Sequence, residues 1–136
     1  MKQFFENIKI DSSKQGLTDI TSNIKLFVNS TKINNGLINI SILHTTASLI
    51  IQENADPNVI EDIQDFFNKI VPIEYPYKHS LEGIDDMPAH LKTSILGSSI
   101  FVPIKNGELT LGRWQGIYLC EHRTNGPSRN LIITVT

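Results

Sequence analysis

The chain has 136 residues, 40% hydrophobic and 19% charged, with a formal charge of −2 and a pI near 6.0. That length bounds it to one domain over 1–136, long enough to bury most of its apolar surface without covalent staples. A near-neutral balance with no long basic tract argues against nucleic acid as a partner; the single cysteine, Cys120, excludes an intrachain disulfide; and no apolar run reaches the length of a membrane span. Residues 1–6 hold a glutamate where a signal peptide needs apolar residues, so the expected location is the cytoplasm.

Phe4, Ile8 and Ile10 share one parity and predict a first strand. After Gly16 and Leu17, the spacing of Ile20, Ile24, Phe27 and Val28 predicts a helix, with Thr21 or Ser22 placed to cap it. Asn34-Asn35-Gly36 signals a turn. Leu37 to Leu43 alternates, with Ile38, Ile40 and Ile42 on one face and His44 continuing it. Ser48 to Ile51 is a further short β-type run. Asp56-Pro57 opens a helix whose stripe is Val59, Ile60, Ile63, Phe66, Phe67 and Ile70, and Pro72 closes it.

The segment from Tyr75 to Gly83 reads as irregular, and Pro88 as the opening of a short helix that ends at Gly97. Ser99 to Ile104, the turn Lys105-Asn106-Gly107 and the return Glu108 to Leu111 make a hairpin, because Asn-Gly suits the tight turn between two strands. Ile117 to His122 and Leu131 to Val135 complete the pattern. The expected fold is α+β: a single compact domain, a mainly antiparallel sheet of about seven strands, and about three helices.

Several polar groups stand where burial is costly. His44 at a strand end reads either as a core histidine bonded to backbone or as a ligand or proton-transfer group. Glu53 and Asn54 precede the Asp56 helix; Asp56 itself reads as a cap. Asp86 and His90, four apart, share a helical face, and with His79 they suggest a divalent site of histidine and carboxylate ligands. The plainer reading makes Asp85 and Asp86 acids favoured by the helix dipole. Glu121 shares parity with Ile117 and Leu119, and His122 with Tyr118 and Cys120; a buried Glu121 needs a partner, for which Arg113, Arg123 and Arg129 are available. It is then either a structural ion pair or, functionally, a general base or metal-supporting acid. Cys120, in an apolar strand, reads as inert. Trp114 offers a flat face and an N–H donor for a pocket or an interface.

The segments H-T-T-A-S-L at 44–49, E-N-A-D-P at 53–57, H-S-L-E-G at 79–83, D-D-M-P-A-H at 85–90, N-G-E-L-T-L-G-R-W-Q at 106–115 and Y-L-C-E-H-R at 118–123 resemble those of the YjbQ family, the secondary thiamine-phosphate synthases, in the same order and at compatible spacing. The resemblance covers nearly the whole chain. It implies a homotrimer that joins hydroxymethylpyrimidine pyrophosphate to thiazole phosphate with release of pyrophosphate, as a weak activity. The positions carried across with the resemblance are His44, Glu53, Asn54, Asp86, His90, Trp114, Gln115, Glu121 and Arg129.

The resemblance assigns these residues no individual roles; from their chemistry, His44, Asp86, His90 and Glu121 are expected to be catalytic. Glu53, Asn54, Arg113, Trp114, Gln115 and Arg129 are expected to bind a small phosphorylated metabolite. His44, His79 and His90 are the expected ligands of a divalent metal, Mg or Zn. No P-loop glycines are present, so no nucleotide cofactor is expected. The alternative function is a trimeric protein that binds a metal or small metabolite without dedicated catalysis.

Overall fold

The computed structural model describes residues 2–136. In chain order the elements are β1 (Phe4–Asp11), β2 (Gly16–Asp19), α1 (Thr21–Thr31), β3 (Gly36–Ile42), β4 (Ala47–Glu53), α2 (Pro57–Ile70), α3 (Asp86–Leu96), β5 (Ser99–Lys105), β6 (Glu108–Leu109), β7 (Gln115–Glu121) and β8 (Ser128–Val135). The strands form two antiparallel sheets, one of five in the order β1-β8-β3-β5-β6 and one of three in the order β2-β7-β4. The α+β class and the antiparallel pairing agree with the sequence reading. Division into two sheets and the short β2, which raises the strands to eight, are what it passed over.

One apolar cluster joins both sheets to α1. β3 contributes Ile38, Ile40 and Ile42, β8 contributes Leu131, Ile133 and Val135, β4 and β7 contribute Leu49, Ile117 and Leu119, and α1 contributes Ile20, Ile24 and Val28. The alternation of β3 is therefore the alternation of an inner and an outer sheet face. It stops at Ile42. His44 lies beyond the strand end, in the bend before β4, and is only half-buried.

Local chemistry accounts for most element boundaries. Asp56 accepts a hydrogen bond from the Asn58 amide at 2.9 Å with Pro57 at the first helical position, so α2 starts as its sequence predicts. α1 is capped differently from the expectation. Neither Thr21 nor Ser22 caps it; Asp19 accepts from the amide and hydroxyl of Thr21, and that hydroxyl in turn accepts from the Ile117 amide at 2.8 Å, tying the helix start to β7. α3 begins at Asp86, two residues before Pro88, which therefore sits inside the first turn. Asn106 and Gly107 turn the β5–β6 hairpin with φ of 53° and 80°, the signs of a type I′ turn.

β7 is the central strand of the smaller sheet, and its residues from Gly116 to Glu121 are all buried, as is His122 beyond it. One face meets the core; on the other, Ser48 of β4 donates to or accepts from His122 Nε2 at 2.7 Å. Cys120 is buried there, and burial pushes its thiol up to about 12, so it is an inert thiol as expected.

Candidate functional site

Beyond α2 the chain runs without regular structure from Val71 to the start of α3. Proline at 72 and 76 prevents a helix here, and Tyr77 folds the segment back by donating to the Pro72 carbonyl at 2.6 Å. This return places His79 over the first turn of α3. Asp86 opens that helix, where the dipole favours a carboxylate, and His90 follows one turn later on the same face.

The three side chains converge. Asp86 Oδ2 lies 2.6 Å from His79 Nε2 and 3.1 Å from His90 Nε2, and the two rings meet edge-on with centroids 5.4 Å apart. All three ligand atoms lie within 4.8 Å of one another. Around a tetrahedral ion with bonds of about 2.0–2.1 Å, ligand atoms stand roughly 3.3 Å apart, so this set matches a divalent ion with small adjustments. Asp86 is buried, His90 half-buried and His79 exposed, which leaves one side of the cluster open to solvent.

Behind Asp86 lies a second layer. Arg123 Nη1 donates to Asp86 Oδ1, Nε to Asp85 Oδ2 at 3.0 Å, and Nη2 to the Glu82 carbonyl at 2.9 Å and to Asp85 Oδ1 at 3.4 Å. Asp85 Oδ2 also accepts from the Thr124 amide at 2.8 Å and hydroxyl at 3.1 Å. Burial alone would raise the Asp85 carboxyl; the hydrogen bonds from Arg123 and Thr124 outweigh it and hold the group down to about 2. Asp86 is likewise held below its ordinary range, burial being outweighed by the bond to His79 and the charge of Arg123.

Of the expected metal set His44, His79 and His90, the two latter meet in this cluster with Asp86, and His44 lies outside it. His44 lines an open cleft of about 450 Å³ that it shares with His90, Thr93 and Ser94. Its Nε2 accepts from the Asn130 amide at 2.8 Å, which leaves the ring proton on Nδ1. Burial and then the charge of Arg129 lower its pKa, Glu121 opposing them.

Glu121 and Arg129 are interior residues, 0% and 1% exposed. Arg129 donates from Nε to Glu121 Oε1 at 2.7 Å and from Nη2 to Oε2, and reaches the Thr46 hydroxyl and carbonyl at 2.9 and 3.2 Å. Glu121 also accepts from Ser12 at 2.8 Å and from the Arg123 amide at 3.1 Å. Both carboxylate oxygens and all three guanidinium nitrogens are engaged within the chain, which is the geometry of a buried structural ion pair. The loop after Arg123 closes over it: a Cβ on Gly126 would stand 1.8 Å from Glu121 Oε1.

The remaining residues gather elsewhere. Glu53 pairs with Gln115 and Ala47 with Glu121, at opposite ends of the β4–β7 ladder. Over the seven residues of β4 the two ends stand about 20 Å apart. At the far end the Asn54 amide donates to the Trp114 carbonyl at 2.9 Å, Arg113 lies 4.8 Å over the half-exposed Trp114 ring, and Gln115 accepts from the Gly112 amide at 2.6 Å. A cleft of about 320 Å³ opens there between Asp19, Asn54, Asp56, Ile60 and Tyr118. Sequence reasoning thus joined residues that one chain holds at two ends, and gave no site role to Asp85 or to the Ser48–His122 contact. The parity of His122 with Cys120 was the available signal for the latter.

A family model described as UPF0047 protein YjbQ-like matches residues 6–136. The chain is 42% identical to UPF0047 protein sll1880 of Synechocystis over 99% of its length and 92% of that protein, and 48% identical to UPF0047 protein YjbQ of Salmonella typhimurium over 76% and 75%. Among solved structures, a YbjQ-like protein of unknown function from Sulfolobus solfataricus superposes with a TM-score of 0.91 at 27% identity, covering 98% of this chain and 96% of that one. An uncharacterised YjbQ/UPF0047 protein from Clostridium acetobutylicum superposes with 0.88 at 37% identity, covering 96% and 99%. The chain belongs to the YjbQ (UPF0047) family.

Proposed function

We propose that the protein is a weak, metal-assisted thiamine-phosphate synthase, cytoplasmic and homotrimeric, acting on small phosphorylated metabolites. The observation that carries this reading is the convergence of His79, Asp86 and His90 beside an open cleft. Two imidazoles and one carboxylate suit Zn or a similar borderline ion better than Mg. In the reaction the thiazole nitrogen attacks the methylene carbon of the pyrimidine, the carbon–oxygen bond breaks and pyrophosphate leaves. A bound divalent ion supplies neutralisation of the charge that builds on the leaving group. The chain's part is to orient the two partners: His44 offers an N–H donor to an acceptor in the cleft, and Asp86 holds the histidines in place.

The test is bound metal and turnover, measured on the same preparations with hydroxymethylpyrimidine pyrophosphate and thiazole phosphate as substrates. The expected result is metal bound to the wild type and lost from His90→Ala, with turnover lost in parallel. A wild type that binds no divalent ion, or a His90→Ala variant that turns over normally, defeats the reading.

The second reading, binding without dedicated turnover, is favoured by one feature. Lys92 and Arg129 are buried and each Arg123 nitrogen is already bonded to Asp85, Asp86 or the Glu82 carbonyl, so none of these three cations is freely presented to a phosphate, and Arg113 stands open at the far end of β4. Metal binding with no turnover of these substrates supports it.

A further inference from the structure

Four of the five N–H donors of the Arg123 guanidinium are committed within the chain, and the fifth is the second hydrogen of Nη1. Each of its nitrogens is spent on Asp85, Asp86 or the Glu82 carbonyl. Its backbone amide is pinned as well, donating to Glu121 Oε2, whose carboxylate is itself fixed by Arg129 and Ser12. A run of contacts therefore leads from the buried Glu121–Arg129 pair through Arg123 to Asp86. It ends on one oxygen only: Oδ1 takes Arg123, while Oδ2 faces His79 and His90.

We propose that Arg123 is the positioning residue of the metal site, clamping Asp86 Oδ1 so that the carboxylate ligates through Oδ2 alone. The proposal rests on the metal-binding reading above. A carboxylate restricted to one oxygen, with two imidazole nitrogens, makes a compact set of three ligands with positions left for a substrate or water. That set favours a small borderline ion such as Zn or Co(II) and disfavours Ca, which takes many oxygens and often a bidentate carboxylate. The planar fork of arginine spreads its donors over Asp85, Asp86 and the Glu82 carbonyl at once; the compact ammonium of lysine lacks that fixed, spread geometry. Groups behind metal ligands commonly hold about 10- to 100-fold in affinity.

The experiment uses the full chain, stripped of metal and titrated with Co(II) while its visible spectrum is recorded, with Zn affinity taken by competition. Wild type, Arg123→Met, Arg123→Lys and Asp85→Asn are compared after circular dichroism confirms folding. The expected result is about a 10- to 100-fold loss of Co(II) and Zn affinity in Arg123→Met with an altered Co(II) spectrum, partial recovery in Arg123→Lys, and a relative gain of Ca over Zn as Asp86 is freed. A merely structural role would lower melting temperature without moving the spectrum or the Ca-to-Zn ratio. Where Arg123→Met does not fold, Arg123→Lys and Asp85→Asn decide. Folded variants with wild-type affinity and spectrum overturn the proposal and leave the metal reading standing. A wild type that binds neither ion removes both.

Discussion

At the scale of single residues the interior holds more charge than its size suggests. Glu121 and Arg129 are sealed and mutually satisfied, and removing one partner strands the other. Breaking such a pair costs about 3–5 kcal/mol, so Glu121→Met is expected to lower the unfolding free energy by that amount in urea. A loss under about 1 kcal/mol, the range of exposed pairs, would contradict this placement. His122 adds a dependence on pH. Burial, with the charges of Lys92 and Arg129, depresses it from 6.5 to about 3. The folded state thus binds fewer protons than the unfolded state between those values. Stability from this group is constant above about pH 6.5 and falls as pH drops toward about 3, by up to about 1.4 kcal/mol per unit. Asp85, lowered from 3.8 to about 2, acts in the same direction but only below about pH 4. Urea midpoints taken between pH 7 and 4 should decline in the wild type and decline less steeply in His122→Gln. Identical slopes would show that His122 does not set the acid limit.

At the scale of elements, the Asp56 cap offers a clean measurement because α2 buries no residue in the chain itself. Asp56→Ala is expected to cost about 1 kcal/mol with an unchanged denaturant slope. This start, the Asn106-Gly107 hairpin and the alternation of β3 were legible in the sequence, since each is dictated by neighbours within a few residues. β2 was not. Its four residues carry no alternation, and its strand character comes from pairing with Thr18 opposite Leu119 and Asp19 opposite Tyr118. The candidate site divides along the same line. Asp86 and His90 are one helical turn apart and visible as a pair, whereas Arg123 meets Asp85 across 38 positions and Ser12 meets Glu121 across 109. Contacts of that range are made by the sheet topology, to which local spacing is blind.

At the scale of the whole molecule, α2 and the two ends of β4 pose one question. The apolar face of α2, with Ile50 and Leu96, lines a groove of about 520 Å³, and Phe66 is 56% exposed. An apolar stripe this strong ordinarily faces a partner. In the proposed trimer that partner is a second copy, and Phe66→Asp should reduce the mass seen by light scattering to that of a monomer; an unchanged trimer would place the interface elsewhere. A closed ring of three is built from heterologous contacts, so unlike surfaces of neighbouring subunits meet. This allows the Arg113–Trp114 end of one chain to face the His79–Asp86–His90 end of the next, although about 20 Å separates them within a chain. The two ends can be tested by mixing. If a site shared across the interface needs both ends, His90→Ala and Arg113→Ala subunits are each inactive alone and should regain part of the activity when unfolded and refolded together, because some interfaces then pair an intact Arg113 with an intact His90. Activity that stays absent in mixed trimers would mean that both residues must come from the same chain.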